Sequence, residues 1–374
     1  MTDVRMPESV LLVATRQIGD VLLTTPLLRS LRRAWPHARI DALVYTGKGG
    51  MLEGNPDCNE VIESDEHPDL AGYRGLMSRI GRRYELALTT QANDRAHVYA
   101  WMAARRRFGV VPDRPFQSLW KRLSCAASTP LDNIHTHTVI QNLRVADLLG
   151  ITRDYTVVPP RSSPPSGNDG APPQPEPGHY AVLHPFPMWR YKRWTRDGWL
   201  GLIDALRARG LRVVLTGGPA REERAFCSEL ANGREGVTNI AGERSFGQLT
   251  PLLARAACYV GPDTSVTHLA AASGTPTVAL YGPTNPVKWG PWPAAFAEDR
   301  NPYVNKARLQ HVNNVWLVQP EGDCVPCHGE GCDKHKNSVS ECLLSLPSSI
   351  VVDAANQALA WGAQRANADP HSHH

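Results

Sequence analysis

Short, wholly apolar runs alternate along this chain with longer amphipathic stretches. Val10–Ala14 is continuously apolar and too short for a helix, so it predicts a strand buried on both faces. A turn with Gly19 and Asp20 follows. From Val21 to Trp35, Leu22, Leu23, Leu27, Leu28 and Leu31 fall on one side and Arg29, Arg32 and Arg33 on another, which predicts an amphipathic helix. Ile40–Tyr45 predicts a second strand. The pattern starts again in the second half. Tyr180–His184 reads as a strand, Trp199–Arg209 as a helix closed by Gly210, and Leu211–Thr216 as a strand running into Gly217-Gly218-Pro219. Ala257–Val260 and Thr277–Tyr281 predict further strands, and Ile350–Trp361 a last helix. Apolar strands alternating with helices predict an α/β fold with parallel sheets and right-handed crossovers.

The halves are separated by Pro159–Gly178, in which eight of twenty residues are proline and most others are small or polar. Such a segment buries too little apolar surface to fold and reads as an extended linker. The expected organisation is therefore residues 1–158, a linker over 159–178, and residues 179–374. In open α/β sheets ligands bind beyond the carboxyl ends of the strands, so two such domains would present a cleft between those ends.

Composition narrows the classes. With 42 % apolar and 20 % charged residues the 374-residue chain is globular in type and long enough for two domains. No apolar run approaches the roughly 18 residues of a membrane span, and Val10–Ala14 is too short for a signal-peptide core, so a cytoplasmic protein is expected. The formal net charge of +4 is unevenly spread. Arg74–Arg122 carries eleven Lys/Arg against three acids, Glu85, Asp94 and Asp113. That stretch is either a solvated face or a surface for an acidic partner: phosphorylated lipid, an anionic membrane or nucleic acid. The tail residues His371, His373 and His374 are set aside from fold reasoning.

Four stretches carry chemistry. Arg16–Val21 follows the first strand, and Asp20 there either caps a helix or acts as a general base on an acceptor hydroxyl. No GxGxxG is present, which argues against dinucleotide binding. The segment from His184 to Arg196 carries Arg190, Lys192, Arg193 and Arg196, a set suited to a pyrophosphate or simply a solvated basic loop. Trp189, Trp194 and Trp199 beside it are dense for a surface loop, and some would anchor the next helix. In Val260–Ala272 a strand ends at Gly261-Pro262, and Asp263, Thr264 and Ser265 open a helix. Such an N-terminus is either an ordinary cap or a phosphate site, with Asp263 able to accept from sugar hydroxyls. Leu280–Pro286 and Trp289–Trp292 form a turn-rich loop at the same sheet edge.

Together, IGDVLLTTPLLRSLR from Ile18, the KRW and GGPAREE segments, and GPDTSVTHLAAASGTPTVALYGPTNP from Gly261 resemble glycosyltransferase family 9, the ADP-heptose:lipopolysaccharide heptosyltransferases. The resemblance runs from Val10 to about Leu343. It implies the GT-B architecture, two Rossmann-like domains facing a central cleft, with the donor nucleotide held by the C-terminal half. It implies an inverting transfer that needs no metal. By position it makes Asp20 the catalytic base, Lys192 the phosphate-binding lysine and Asp263 the aspartate that holds the donor sugar. Thr264 and Ser265 then lie at the diphosphate with His268 nearby. Glu222 would reach the nucleotide ribose, with the register uncertain by one because Arg221 and Glu223 flank it. It implies ADP-heptose as donor and a lipid-linked lipopolysaccharide core as acceptor. It also favours Arg74–Arg122 as an acceptor face with peripheral contact to the inner membrane, and no nucleic-acid partner. A non-catalytic sugar-nucleotide-binding protein and a sugar-nucleotide epimerase of the same fold are the alternatives.

The eight cysteines fall into two groups. Cys58, Cys125, Cys227 and Cys258 are scattered and read as reduced core residues. Cys324, Cys327, Cys332 and Cys342 lie within nineteen residues, with His328 and His335 between them. Four such ligands could close a structural zinc or iron site, pack as reduced thiols in a loop, or pair as disulfides. A similar Cys-x-Pro-Cys start recurs in the family that the chain resembles, where it need not imply a metal.

Overall fold

The computed structural model describes residues 6–162 and 176–368. Most of the expected linker, residues 163–175, and the histidine tail lie outside the described residues. The chain divides into two compact units. One holds the residues up to Arg161 together with Ala295–Asn301, and the other holds Ser162–Ala294 and the residues from Pro302 onward. Among the described residues no helix is long and apolar enough to cross a membrane.

The first unit is built on a six-stranded, wholly parallel sheet. Its strands are β1 (Ser9–Val13), β2 (Arg39–Tyr45), β3 (Glu60–Ser64), β4 (Tyr84–Thr89), β5 (Ala104–Val111) and β6 (Ala127–Pro130). Their order is β3-β2-β1-β4-β5-β6, so the direction of winding reverses between β1 and β4. Val10, Leu11, Leu12 and Val13 are fully buried, as a central strand covered on both faces requires.

The single helix expected over Val21–Trp35 is two, Ile18–Leu22 and Thr25–Ala34. Pro26 near the start of the second cannot donate to the preceding turn. The hydroxyls of Thr24 and Thr25 donate to the carbonyls of Val21 and Leu22, both at 2.7 Å, and close the first helix. Thr25 also accepts the Val158 N–H at 2.9 Å, and the Arg161 N–H donates to Glu53 at 2.8 Å. Pro159–Arg161 therefore runs along the first unit before the chain leaves it. The later return is fixed by Asn301, which accepts the His137 N–H at 2.8 Å and donates to His135 O at 2.7 Å.

The second unit holds a seven-stranded sheet ordered β12-β13-β11-β10-β7-β8-β9. Its strands are β7 (Tyr180–Leu183), β8 (Arg212–Leu215), β9 (Val237–Asn239), β10 (Cys258–Pro262), β11 (Thr277–Leu280), β12 (Leu309–Val312) and β13 (Val315–Val318). All neighbours are parallel except β12 and β13, which form an edge hairpin through Asn313-Asn314. Asn313 has φ +49°, a left-handed turn conformation that asparagine tolerates. The sequence pattern did not predict β12, because its half-exposed edge position needs no continuous apolar run. Trp194 and Trp199 pack edge to face at 5.1 Å, and the Trp194 indole N–H donates to Leu346 O at 2.9 Å. They anchor the helix Arg196–Ala208 rather than line a surface loop. Gly210, at φ +81°, lets the chain turn out of that helix. Val351, Ala354, Ala355 and Ala358 of the last helix, Ser348–Ala368, complete the same core.

Candidate active site

In the second sheet the winding reverses between β7 and β10, which are paired in register from Ala181↔Cys258 to Leu183↔Val260. The loops that follow them therefore start side by side at the carboxyl edge, the place where doubly wound sheets bind ligands. The β7 loop reaches a short 3-10 turn, Arg190–Lys192. β10 ends at Pro262, directly before Asp263. The two loops meet in an ion pair, Lys192 Nζ to Asp263 Oδ2 at 2.5 Å. The aspartate is 8 % exposed and the lysine 18 %.

Asp263 is held from further sides. The Tyr281 hydroxyl lies 3.3 Å from Oδ1 and 2.7 Å from Trp289 O, and Thr284 adds a side-chain hydrogen bond. Burial opposes ionisation of this carboxyl. The Lys192 charge, with His268 when protonated and the hydrogen bonds of Lys192 and Thr284, outweighs burial and holds the pKa below its usual value. His268 Nε2 stands 3.9 Å from Asp263 Oδ1. Burial drives the imidazole down to about 4, so at neutral pH it is uncharged and this approach is not an ion pair. Its Nδ1 is buried and has no hydrogen-bond partner among the described residues. A buried polar atom left in this state is costly in a packed site and is satisfied when a ligand supplies the partner.

A carboxylate with a depressed folded pKa adds stability above its unfolded pKa, about 3.9, and that contribution is lost as pH falls through the lower folded value. The difference in urea midpoint between wild type and Asp263→Asn is therefore expected to stay level from neutral pH to about 5 and to shrink below about 4. A difference that grows on acidification would contradict the arrangement.

Thr264 caps the helix Ser265–Ala272, its side chain accepting the Thr267 N–H. The Thr267 hydroxyl donates to Pro262 O at 2.5 Å and lies 2.9 Å from the Tyr259 hydroxyl, tying the end of β10 to the start of the helix. Thr264 and Ser265 remain partly exposed. First-turn N–H groups have no acceptor within their own helix, so this terminus offers donors and a positive dipole end beside Lys192.

Glu222 sits apart from Asp263, on the helix Arg221–Ala231, and accepts from Arg193 at 3.0 Å. The adjacent Lys192 and Arg193 thus reach two different carboxylates. Arg193 also stacks 3.7 Å over the Phe186 ring, and Phe186 pairs with Phe226 at 5.5 Å. These groups line a pocket of about 300 Å³. Glu223 instead accepts the Gly218 N–H at 2.5 Å and serves its own loop. Of the remaining cations, Arg196 pairs with Glu229 and Asp197. Tyr281, Thr284 and the Tyr259–Thr267 pair are the site residues that sequence reasoning missed. The turn-rich loop after β11 was the only sign of the first two.

Asp20 belongs to the first unit. It occupies the third position of the helix Ile18–Leu22, just beyond β1 at that sheet's own winding reversal. The N-cap residue is Gln17, whose side chain makes no capping hydrogen bond, and Asp20 is the acidic residue of the first turn. Its side chain is 10 % exposed, with Oδ2 at 3.6 Å from Arg16 Nε.

The cysteine group corrects an expectation. Cys324, Cys327, Cys332 and Cys342 line one cavity of about 360 Å³ and all four are free thiols. Among the described residues no three His, Cys, Asp or Glu side chains are arranged to hold a metal ion. A tetrahedral zinc or iron site needs its ligands to converge on one point about 2.3 Å from each sulfur, and no such group is found among the described residues. Cys342 is half-buried, and burial pushes its thiol up to about 11, while the other three are exposed. The loop instead braces the loops around Lys192 and Thr284. Ser340 Oγ donates to Tyr191 O at 2.6 Å, and the His328 N–H donates to Pro283 O at 2.8 Å.

The sequence matches the family model of glycosyltransferase family 9 (heptosyltransferase) over residues 74–314. Lipopolysaccharide heptosyltransferase 3 of Escherichia coli K12 is 32 % identical over 295 residues, 74 % of this chain and 83 % of that protein. A family 9 glycosyltransferase from Veillonella parvula superposes with a TM-score of 0.70 at 19 % identity, covering 94 % of this chain and 97 % of that one. Escherichia coli heptosyltransferase WaaC, solved with ADP, gives 0.69 at 20 % identity, covering 94 % and 99 %. At these identities the structural likeness is one of fold, two Rossmann-like units of the GT-B type. The family model and the Escherichia coli relative carry the assignment: the chain is a glycosyltransferase and belongs to glycosyltransferase family 9, the heptosyltransferase family.

Proposed function

We propose that this enzyme transfers heptose from ADP-heptose to the lipopolysaccharide inner core with inversion at the anomeric carbon, and that Asp20 is the general base. The observation that carries the donor side is the buried Asp263, paired with Lys192 at 2.5 Å beside the start of the helix Ser265–Ala272. In this reading the second unit binds the donor. Lys192 and the first-turn N–H groups, with Thr264 and Ser265, meet the diphosphate. Asp263 accepts from the sugar hydroxyls, His268 Nδ1 gains its missing partner, and Glu222 reaches the ribose. The first unit binds the acceptor. Names among the relatives support the substrates: the curated relative is a lipopolysaccharide heptosyltransferase, and WaaC was solved with ADP.

The chemistry is a single displacement. The acceptor hydroxyl oxygen bonds to the anomeric carbon as the bond from that carbon to the diphosphate oxygen breaks. Asp20 takes the hydroxyl proton, and ADP leaves with the electron pair. Positive charge builds on the sugar ring and negative charge on the diphosphate, so preorganised cations and N–H donors at the leaving group lower the barrier. Because the acceptor is lipid-linked, the reaction takes place at the cytoplasmic face of the inner membrane, with peripheral attachment.

Calorimetric titration with ADP, UDP and GDP, without added divalent cation, tests the donor. ADP is expected to bind at least about tenfold more tightly than the other two, a difference of about 1.4 kcal/mol. Equal binding of all three, or preference for UDP or GDP, would remove ADP-heptose as the donor.

A further inference from the structure

The helix Pro115–Ser124 of the first unit carries its hydrophobic face outward. Phe116 is 96 % exposed, Leu119 57 %, Trp120 42 % and Leu123 78 %. Their spacing of three and four residues puts them in one stripe along the helix. The inward face is polar and internally bonded. Buried Ser118 donates to Arg114 O at 2.8 Å and accepts from Arg122 Nε at 2.9 Å, and buried Lys121 pairs with Asp94 at 2.7 Å. Lys121 thus ties the helix to the unit from its polar side, while Phe116, Leu119 and Leu123 stay largely exposed. The preceding helix, Asp94–Ala103, packs against it through His97 and Trp120, whose rings are 6.0 Å apart, and adds exposed Val98 and Trp101. Soluble surfaces seldom present so much contiguous apolar area without a partner.

Cations accompany this ridge. Arg82 lies 5.4 Å over the Trp101 ring. Arg105 and Arg106 follow the Asp94–Ala103 helix directly and are exposed, and Arg114 precedes the apolar helix. Among the described residues none of these four arginines has an ion pair. Asp94 is engaged by Lys121, which leaves Asp113 as the exposed acid beside the ridge. Apolar and tryptophan side chains flanked by unpaired arginines match the boundary of an anionic bilayer, where acyl chains, headgroup carbonyls and negative phosphates lie within a few ångströms. A second copy of this chain fits less well, since a two-fold contact would bring the same arginines against each other.

We infer that the ridge formed by Phe116, Leu119, Trp120 and Leu123, with Val98 and Trp101, seats the enzyme in the interface of an anionic lipid bilayer. The inference deepens the reading of a lipid-linked acceptor by naming the surface and the lipid chemistry. The binding measurement itself uses neither donor nor acceptor. The full chain is floated with vesicles of phosphatidylglycerol and phosphatidylethanolamine, and with phosphatidylcholine alone, at low and high salt. Binding is expected to the anionic vesicles, weaker at high salt and weaker still on phosphatidylcholine. The Phe116→Ser/Leu123→Ser variant is expected to lose at least about tenfold in partitioning while its circular dichroism and ADP affinity stay unchanged. Arg105→Glu/Arg106→Glu should weaken anionic binding with the apolar ridge intact. Absence of vesicle binding, equal binding by wild type and the serine variant, or a wild-type dimer that the serine substitutions dissociate, would each overturn the inference. Failure here with normal sugar transfer to a delipidated acceptor would leave the proposed reaction standing.

Discussion

The Asp20→Asn enzyme is expected to fold, to bind ADP with unchanged affinity and to transfer sugar about 10²–10⁴-fold more slowly, the span that removal of a positioned general base produces. Asparagine keeps the size of the side chain and the short helix Ile18–Leu22, and it removes the proton acceptor. The N-cap residue itself, Gln17, is untouched. Unchanged ADP affinity is expected because the proposed donor residues all belong to the second unit. The pH dependence supplies a second readout. A base must be deprotonated to act, so wild-type kcat is expected to rise with pH along an acid limb. Residual activity of the variant should lack that limb. Near wild-type turnover by Asp20→Asn would show that another group takes the proton.

Lys192→Ala carries two consequences that a second substitution separates. It removes the cation proposed to meet the diphosphate, a charge-assisted contact of about 1.5–3 kcal/mol, so ADP should bind about 10–150-fold more weakly. It also strands Asp263, which is 8 % exposed and loses its 2.5 Å partner. An unpaired buried carboxylate costs about 3–5 kcal/mol of stability. In Lys192→Ala/Asp263→Asn the stranded charge is gone, so the urea midpoint should recover much of the loss while ADP binding stays weak. Recovery of both would make the lysine a partner for Asp263 alone. Wild-type ADP affinity in the single variant would remove Lys192 from the donor site.

Most parts of this molecule legible in its sequence are those where burial on both faces leaves a continuous apolar run. β1, β2, β7, β8, β10 and β11 are of that kind, although β13, equally buried and apolar, was not read. β3 and β5 were not read from the pattern because Glu60, Glu63, Arg105 and Arg106 interrupt the apolar run where the strands meet solvent. The break between the first two helices was written in Thr24-Thr25-Pro26, but the leucine periodicity runs across it and masks it. In the candidate site of the second unit, the change from strand to Asp-Thr-Ser to helix exposed Asp263 as a candidate. Its pairing with Lys192, 71 positions earlier, depends on β7 lying beside β10, a fact of strand order that no local pattern contains. Tyr281 and Thr284 reach Asp263 for the same reason. The cysteine group shows the converse. Close spacing along the chain suggested a metal site, but convergence in space decides ligation, and the loop there braces Tyr191 and Pro283 instead.

The most direct test of the central claim is transfer itself. The full chain is incubated with ADP-heptose and a core acceptor truncated before its heptoses are complete. The product is weighed by mass spectrometry, and its new linkage is read by NMR. The account predicts a gain of one heptosyl residue, stoichiometric release of ADP, and an anomeric configuration opposite to that of the donor. A product with the donor's configuration would contradict the single displacement from Asp20. Free heptose or no product from ADP-heptose, with turnover of another sugar nucleotide on the same acceptor, would contradict the heptosyltransferase reading.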